Sequence, residues 1–207
     1  MTDARTTILT SVRAALKTAL LPDAPPARPT DTTPRSSGGV EQFVAEVEKL
    51  SGQVIRIASQ ADAAQAVVGL FKERDWTDTL AWEWTEIDCA GLAAMLKEAG
   101  VNAVHSGTPS ELETIPVGLT GAEAAIADTG TLILRTGPGR SSLASLLPPV
   151  HVALLGANRI LPDMRGYLES LSQGGSAAEH IRSASNLVFI SGPSRTADIE
   201  KTLTLGV

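Results

Sequence analysis

The chain has 207 residues, a net charge of −6 and an isoelectric point near 5.1, an acidity that argues against general nucleic-acid or anionic-membrane binding. Hydrophobic residues make up 43% and charged ones 19%, the balance of a soluble globular protein of one generous domain or a domain plus an arm. No apolar run approaches the roughly 20 residues of a membrane span.

Ile8, Val12, Ala15, Leu16 and Leu20 recur at helical spacing and predict an amphipathic N-terminal helix. Pro22, Pro25, Pro26, Pro29 and Pro34 then lie among Thr, Arg and Ser up to Gly39, the composition of an extended or disordered linker. Residues 1–39 therefore read as an arm. Its helix is expected to pack on a neighbouring subunit of a homo-oligomer, on a partner, or back on its own domain.

From Val40 helices and strands alternate. Val40, Phe43, Val44, Val47 and Leu50 mark a helix stopped by Gly52, and Gln53 to Ala58 reads as a short strand. Ala61 to Arg74 is helical and Thr79 to Trp84 a strand. Asp88 is placed to cap a helix running to Glu98 and ending at Gly100. Strands are expected at Val101–His105, Pro116–Leu119, Thr131–Leu134 and Val150–Leu155. A helix is expected over Ile160–Leu171, a last strand over Leu187–Ile190, and a final helix from Thr196. Such alternation predicts an α/β domain over 40–207, a mostly parallel sheet with helices on both faces, whose ligands bind beyond the carboxyl ends of the strands.

The turn after the last strand carries most of the chemistry. Ser191, Gly192, Pro193, Ser194, Arg195 and Thr196 combine hydroxyls, a guanidinium and the expected helix N-terminus, which together suit a phosphate, carboxylate or other anion. The alternative is an ion pair of Arg195 with Asp198 or Glu200. A second turn, Asp128-Thr129-Gly130-Thr131, adds hydroxyls before an apolar strand. A third, Arg135-Thr-Gly-Pro-Gly-Arg140-Ser-Ser142, adds guanidiniums and glycines. Arg140, Ser142, Thr129 and Asp128 are expected at one cavity with Arg195.

Glu123 and Asp128 are the only carboxylates of an apolar stretch and are candidate general acid/base groups. Against that, Asp128 can make an Asx-type turn and Glu123 can cap or face solvent. His151, at a strand start, is a candidate catalytic residue or a structural one. His105, His151 and His180 lack ligand-like spacing, so no metal site is expected, and neither Gly-x-Gly-x-x-Gly nor Gly-x-Ser-x-Gly occurs. Cys89 stands alone in an apolar context and reads as a buried thiol, so this chain's thiolates cannot by themselves hold an iron–sulfur cluster. No cofactor is expected. The sequence Met1-Thr-Asp-Ala-Arg-Thr-Thr lacks the features of a secretory signal, which points to the cytoplasm.

Gly118-Leu-Thr, Ala125-Ile-Ala-Asp-Thr-Gly-Thr-Leu132, Ser142 to His151 with its Leu-Leu-Pro, and Gly192-Pro-Ser-Arg-Thr-Ala-Asp-Ile-Glu200 resemble the lactate-utilisation protein C family, the small LUD-domain proteins of bacterial lactate-utilisation operons. The resemblance covers roughly Val40 to Val207. It implies a fold like that of ribose-phosphate isomerase, glucosamine-phosphate deaminase and the CoA-transferases. It also implies a part in oxidising L-lactate to pyruvate beside iron–sulfur partner proteins. Related chains continue past Val207 with His-Gly-Pro and a closing strand, so a truncated chain or a sheet short of an edge is expected. Three roles follow: an accessory component without redox chemistry, an enzyme acting on a phosphorylated or CoA-linked small molecule, or a metabolite-sensing assembly module.

Overall fold

The computed structural model describes residues 3–19, 38–173, 177–197 and 203–205. It divides into two compact units, Met1–Pro34 and Arg35–Val207. In the first, helix α1 (Ala4–Thr18) starts at Asp3, whose carboxylate accepts from the Arg5 N–H, and carries Lys17 in its last turn. Its stripe of Ile8, Val12 and Leu16 is exposed. Leu20 and the proline-rich stretch through residue 37 lie outside the described residues.

The second unit begins with α2 (Val40–Lys49), which buries Phe43, and α3 (Gln60–Glu73), which Ser59 caps by accepting from the Asp62 N–H. Between them the expected strand at 53–58 does not form. Ile55 and Ile57 are exposed, and Arg56 is forked instead onto Glu41 of α2. An alternating sequence becomes a strand only where a neighbouring edge can take its backbone groups.

Strand β1 (Asp78–Ala81) is followed by a single 3₁₀ turn at Trp84–Glu86 where a longer strand was expected, then by α4 (Leu92–Glu98). Gly91, at φ 81°, precedes α4 in place of the expected Asp88 cap. Next come β2 (Asn102–Val104), α5 (Pro109–Leu112), β3 (Val117–Gly121), β4 (Ala124–Ile126) and β5 (Thr131–Thr136). They are followed by α6 (Leu143–Leu146), β6 (Val150–Leu154) and β7 (Ile160–Leu161). The chain continues with α7 (Met164–Gln173), α8 (Ala177–Arg182), β8 (Asn186–Ile190), and a hairpin of β9 (Arg195–Ala197) and β10 (Leu203–Leu205).

One sheet, ordered β2-β1-β3-β6, is wholly parallel, the α/β arrangement the alternation predicts. The second, β7-β4-β5-β8, was not expected. Its β4–β5 and β5–β8 pairs are antiparallel and only β4–β7 is parallel. The run Ala124-Ala-Ile-Ala127 explains why it was hidden. Ala124 and Ile126 pack with Ile133, Tyr167 and Leu171, whereas Ala125 and Ala127 pack with Phe43. A strand buried on both faces reads as a continuous apolar run and shows no alternation. The main core joins α3 and α4 to the parallel sheet and to Leu134 of β5.

Ile160 and Leu161 pair with β4 and the helix starts at Met164, because Pro162 disfavours helix at the residue before it. Arg195 to Ala197 form a strand, with Thr196 opposite Thr204, so no helix starts at Thr196. The helix N-terminus that was to favour an anion beside Ser194 and Arg195 is therefore absent.

Candidate functional site

The parallel sheet sends the segments after β1, β3 and β6 to one end, the position where open sheets of this kind bind ligands. The chain after β1 turns at Trp84–Glu86 and continues to Gly91; the chain after β6 makes a 3₁₀ turn at Ala157–Arg159. A tight turn closed by the Gly137–Arg140 bridge is fastened alongside, with the Gly139 carbonyl accepting from the Glu83 N–H at 2.8 Å. Together these segments bound a cleft of about 740 Å³ whose polar groups include Gln60, Glu86, Asp88, Arg140 and Arg159.

Arg159 Nη1 donates to the Ala122 carbonyl at 3.2 Å and Nη2 to Asp88 Oδ2 at 3.1 Å. Gln60 Nε2 donates to the other Asp88 oxygen at 3.1 Å. Arg140 Nη1 lies 3.5 Å from Glu86 Oε2, while its Nε is buried without a hydrogen-bond partner. Cys89 also lines the cleft; burial pushes its thiol up from the usual range, favouring the protonated form. Each guanidinium thus pairs directly with a carboxylate along the wall of the hollow, Arg159 with Asp88 and Arg140 with Glu86, with donor capacity left on each fork. Such a site fits a ligand that presents both a carboxylate to the arginines and a hydroxyl to an acceptor.

Glu123 occupies a different environment. Its N–H donates to the Ile133 carbonyl at 2.9 Å. Its carboxylate accepts from the Tyr167 hydroxyl at 2.7 Å and lies 3.0 and 3.1 Å from His180 Nε2. Arg135 Nε approaches Oε2 to 3.0 Å, near enough for an ion pair but not aligned to donate. Arg135 Nη1 donates to the Ser183 hydroxyl at 3.1 Å. Burial, and then the bond to Glu123, push the Tyr167 hydroxyl well above its usual range. Strand β5 and helices α7 and α8 thus converge on one carboxylate.

The expected hydroxyls form a third group. Thr131 Oγ1 lies 2.8 Å from Thr129 Oγ1 and 2.7 Å from Ser191 Oγ. Gly130 and Gly192, at φ 61° and 84°, rest on α2. A Cβ at Gly130 would stand 2.8 Å from the Val47 nitrogen, and one at Gly192 2.8 Å from Leu50 Cβ. Pro193 and Ser194 are exposed, as is Asp128, whose N–H donates to the Pro162 carbonyl at 3.1 Å. Arg195 and Thr196 lie on β9, their side chains outside the described part of the structure. The Ser142 carbonyl accepts from the Ser145 hydroxyl at 3.0 Å. His151 Nε2 is 2.8 Å from Thr120 Oγ1 within the parallel sheet, and burial pushes its pKa down to about 4, so the ring is neutral at pH 7.

Of the expected site residues whose side chains are described, Arg140 alone lines the cleft. Among the described residues, the hydrogen bonds and ion pairs of the cleft, of the Glu123 cluster and of the hydroxyl chain run within each group. Sequence reasoning missed Arg159, Asp88 as a cleft residue, and the Tyr167 and His180 partners of Glu123. The signal for Arg159 was its place just after a strand; His180 stands 57 residues from Glu123 and had none. No group of three or more His, Cys, Asp or Glu among the described residues is placed to hold a metal ion. No described helix is long and apolar enough to cross a membrane.

The LUD domain family model matches residues 40–207. The chain is similar to lactate utilization protein C of Halalkalibacterium halodurans, 31% identical over 148 residues, covering 69% of this chain and 63% of that protein. It is 38% identical over 91 residues to lactate utilization protein C of an Exiguobacterium species, covering 44% of this chain and 39% of that one. It is also 32% identical over 157 residues to the uncharacterized protein YkgG of Escherichia coli, covering 73% and 67%. Less than two thirds of the first two relatives' length is therefore spanned. Among solved structures, a DUF162 family protein from Deinococcus radiodurans superimposes with a TM-score of 0.57 at 21% identity, over 73% of this chain and 85% of that one, a likeness of fold.

Proposed function

Because this chain belongs to the LUD domain family, we propose that it serves in bacterial lactate utilisation as an accessory component that binds a small hydroxy acid in the Arg140–Arg159 cleft. The observation that carries this reading is the cleft itself. Two guanidiniums with unused donors stand at the carboxyl ends of parallel strands, opposite Glu86 and Asp88. A carboxylate takes the arginine forks, and the hydroxyl on the neighbouring carbon donates to Glu86 or Asp88. Glu86 and Asp88 also compete with the ligand for the arginines, so binding is weak and selective. The names of the relatives supply lactate as the hydroxy acid.

The component carries no redox centre of its own. One cysteine cannot ligate a cluster, and these 207 residues contain no dinucleotide fingerprint. Electrons from lactate leave through iron–sulfur partner proteins, in the cytoplasm.

Differential scanning fluorimetry against L-lactate tests the cleft. Lactate at a hundred times its Kd should stabilise the wild-type chain by about 2.7 kcal/mol, and Arg140→Ala should abolish the rise in Tm. An unchanged rise in Arg140→Ala and Arg159→Ala would remove the site. Co-expression with iron–sulfur proteins encoded beside it should recover a complex; failure to associate under reducing conditions would remove the accessory role.

A further inference from the structure

The charged cleft does not end at Trp84. On the far side of that indole lies a second hollow of about 400 Å³, and Trp84 and Ala93 line both. Ala94, Ala103 and His105 line the second hollow, which is partly open to solvent and also carries Lys97 and Asn102. The His105 ring meets the Trp84 ring edge-on, with centroids 5.4 Å apart and an interplanar angle of 90°. Its Nδ1 lies 3.1 Å from both the Ala81 and Trp82 carbonyls, which fixes the imidazole at the end of β1. Two aromatic rings and three alanines therefore make up much of the wall of a space beside the arginine cleft, with Lys97 and Asn102 as its polar members. An apolar cavity of about 150 Å³ accommodates a benzene ring, so this space is ample for one.

We propose that the site takes hydroxy acids bearing a flat apolar substituent, with the carboxylate and hydroxyl in the arginine cleft and the ring in the Trp84–His105 compartment. This rests on the reading of the cleft as a hydroxy-acid site. A methyl group, as in lactate, leaves the second compartment empty. A benzyl group in place of the methyl reaches past Trp84 and gains contact with its face or edge. Trp84 is then a specificity-determining residue, since it separates the charged compartment from the apolar one.

Isothermal titration calorimetry of the full chain with L-lactate and L-3-phenyllactate tests this. Phenyllactate should bind at least about tenfold more tightly, a difference of about 1.4 kcal/mol. Trp84→Ala, which removes the wall, and Ala103→Leu, which fills the second hollow, should each bring the ratio of the two affinities to about one. Lactate binding with no gain for phenyllactate would overturn the inference and leave the cleft reading intact. A preference that survives both substitutions would also overturn it, whereas absence of binding for both acids would overturn the inference and the cleft reading together.

Discussion

Two polar clusters in this domain each set arginine against carboxylate and differ in what they surround. Around Glu123, an arginine, a histidine and a tyrosine point inward at one carboxylate, and the set is closed on itself. Around the cleft, two arginines and two carboxylates stand along the wall of a hollow of about 740 Å³; a buried Nε without a hydrogen-bond partner is common to Arg140 and Arg135 and does not separate the two clusters. A closed cluster fastens structure: Glu123 ties α7 and α8 to β4 and β5. An open one holds spare capacity for a ligand. Glu123, the residue that sequence reasoning marked as an acid/base candidate, thus has its carboxylate engaged on several sides, while a less conspicuous arginine, Arg159, borders the space.

The comparison breaks most readily at Glu123. Glu123→Ala leaves Arg135, His180 and the Tyr167 hydroxyl without their common partner in a half-buried setting. Removing one member of such a set costs about 3 kcal/mol, which lowers Tm by roughly 6–12 °C in a domain of this size. Urea unfolding would check this. A loss below about 0.5 kcal/mol would mean that the cluster is not a fastening.

How far each region could be read from sequence follows from the same contrast. The helices α2 and α3, the strands β1, β2, β3, β5, β6 and β8, and the parallel sheet were legible because caps, glycine stops and apolar periodicity are local signals. Strand β4 was not, because Ala124 to Ala127 face protein on both sides and carry no alternation. Segment 53–58 misled in the opposite way, with strand-like composition and no edge to join. The turn at Thr196 has helix-forming residues, yet its register opposite Thr204 makes it a strand, a tertiary pairing that local propensity does not foresee. In the site, Arg140 was found because a glycine-rich turn announces itself. Arg159, Tyr167 and His180 are brought into place only by the fold.

The Thr120–His151 pair belongs with the closed kind, and pH exposes it. The folded pKa of His151, about 4, lies below the ordinary 6.5. The unfolded chain therefore takes up a proton below pH 6.5 that the folded chain refuses until about pH 4. This contribution to stability is complete above pH 6.5 and is lost as pH falls towards 4. Its size is on the order of 2 kcal/mol, after discounting for the ring's partial exposure. Urea melts at pH 7.5 and 4.5 should show a smaller acid loss in His151→Gln than in the wild type. Equal losses in the two proteins would place the titrating group elsewhere.

Tyr167→Phe sharpens the comparison by removing one donor while sparing the ring. Glu123 keeps His180 and Arg135, and the aromatic packing against Phe189, with centroids 6.2 Å apart, is retained. A hydrogen bond to a charged acceptor is worth about 1.5 kcal/mol, and the loss should stay near that figure in equilibrium unfolding. A loss as large as that of Glu123→Ala would show that the hydroxyl organises the whole cluster.

The smallest effect on stability is expected where the effect on binding is largest. Arg159 is paired with Asp88, as Arg135 is with Glu123, yet its side chain is 42% exposed against 21% for Arg135. When the guanidinium is removed, water can reach the Ala122 carbonyl and Asp88 from the cleft, so neither is left dry. An exposed ion pair contributes little, and Arg159→Ala should change unfolding stability by less than about 0.5 kcal/mol. Arg135→Ala removes the same charge from the closed cluster and should cost about 2–3 kcal/mol, because Glu123 is left half-buried without its cation. Measured side by side by urea unfolding without ligand, the two variants should therefore diverge by about 2 kcal/mol. Equal losses would mean that Arg159 fastens the strand ends as Arg135 fastens the helices, and the distinction between an open and a closed cluster would not hold.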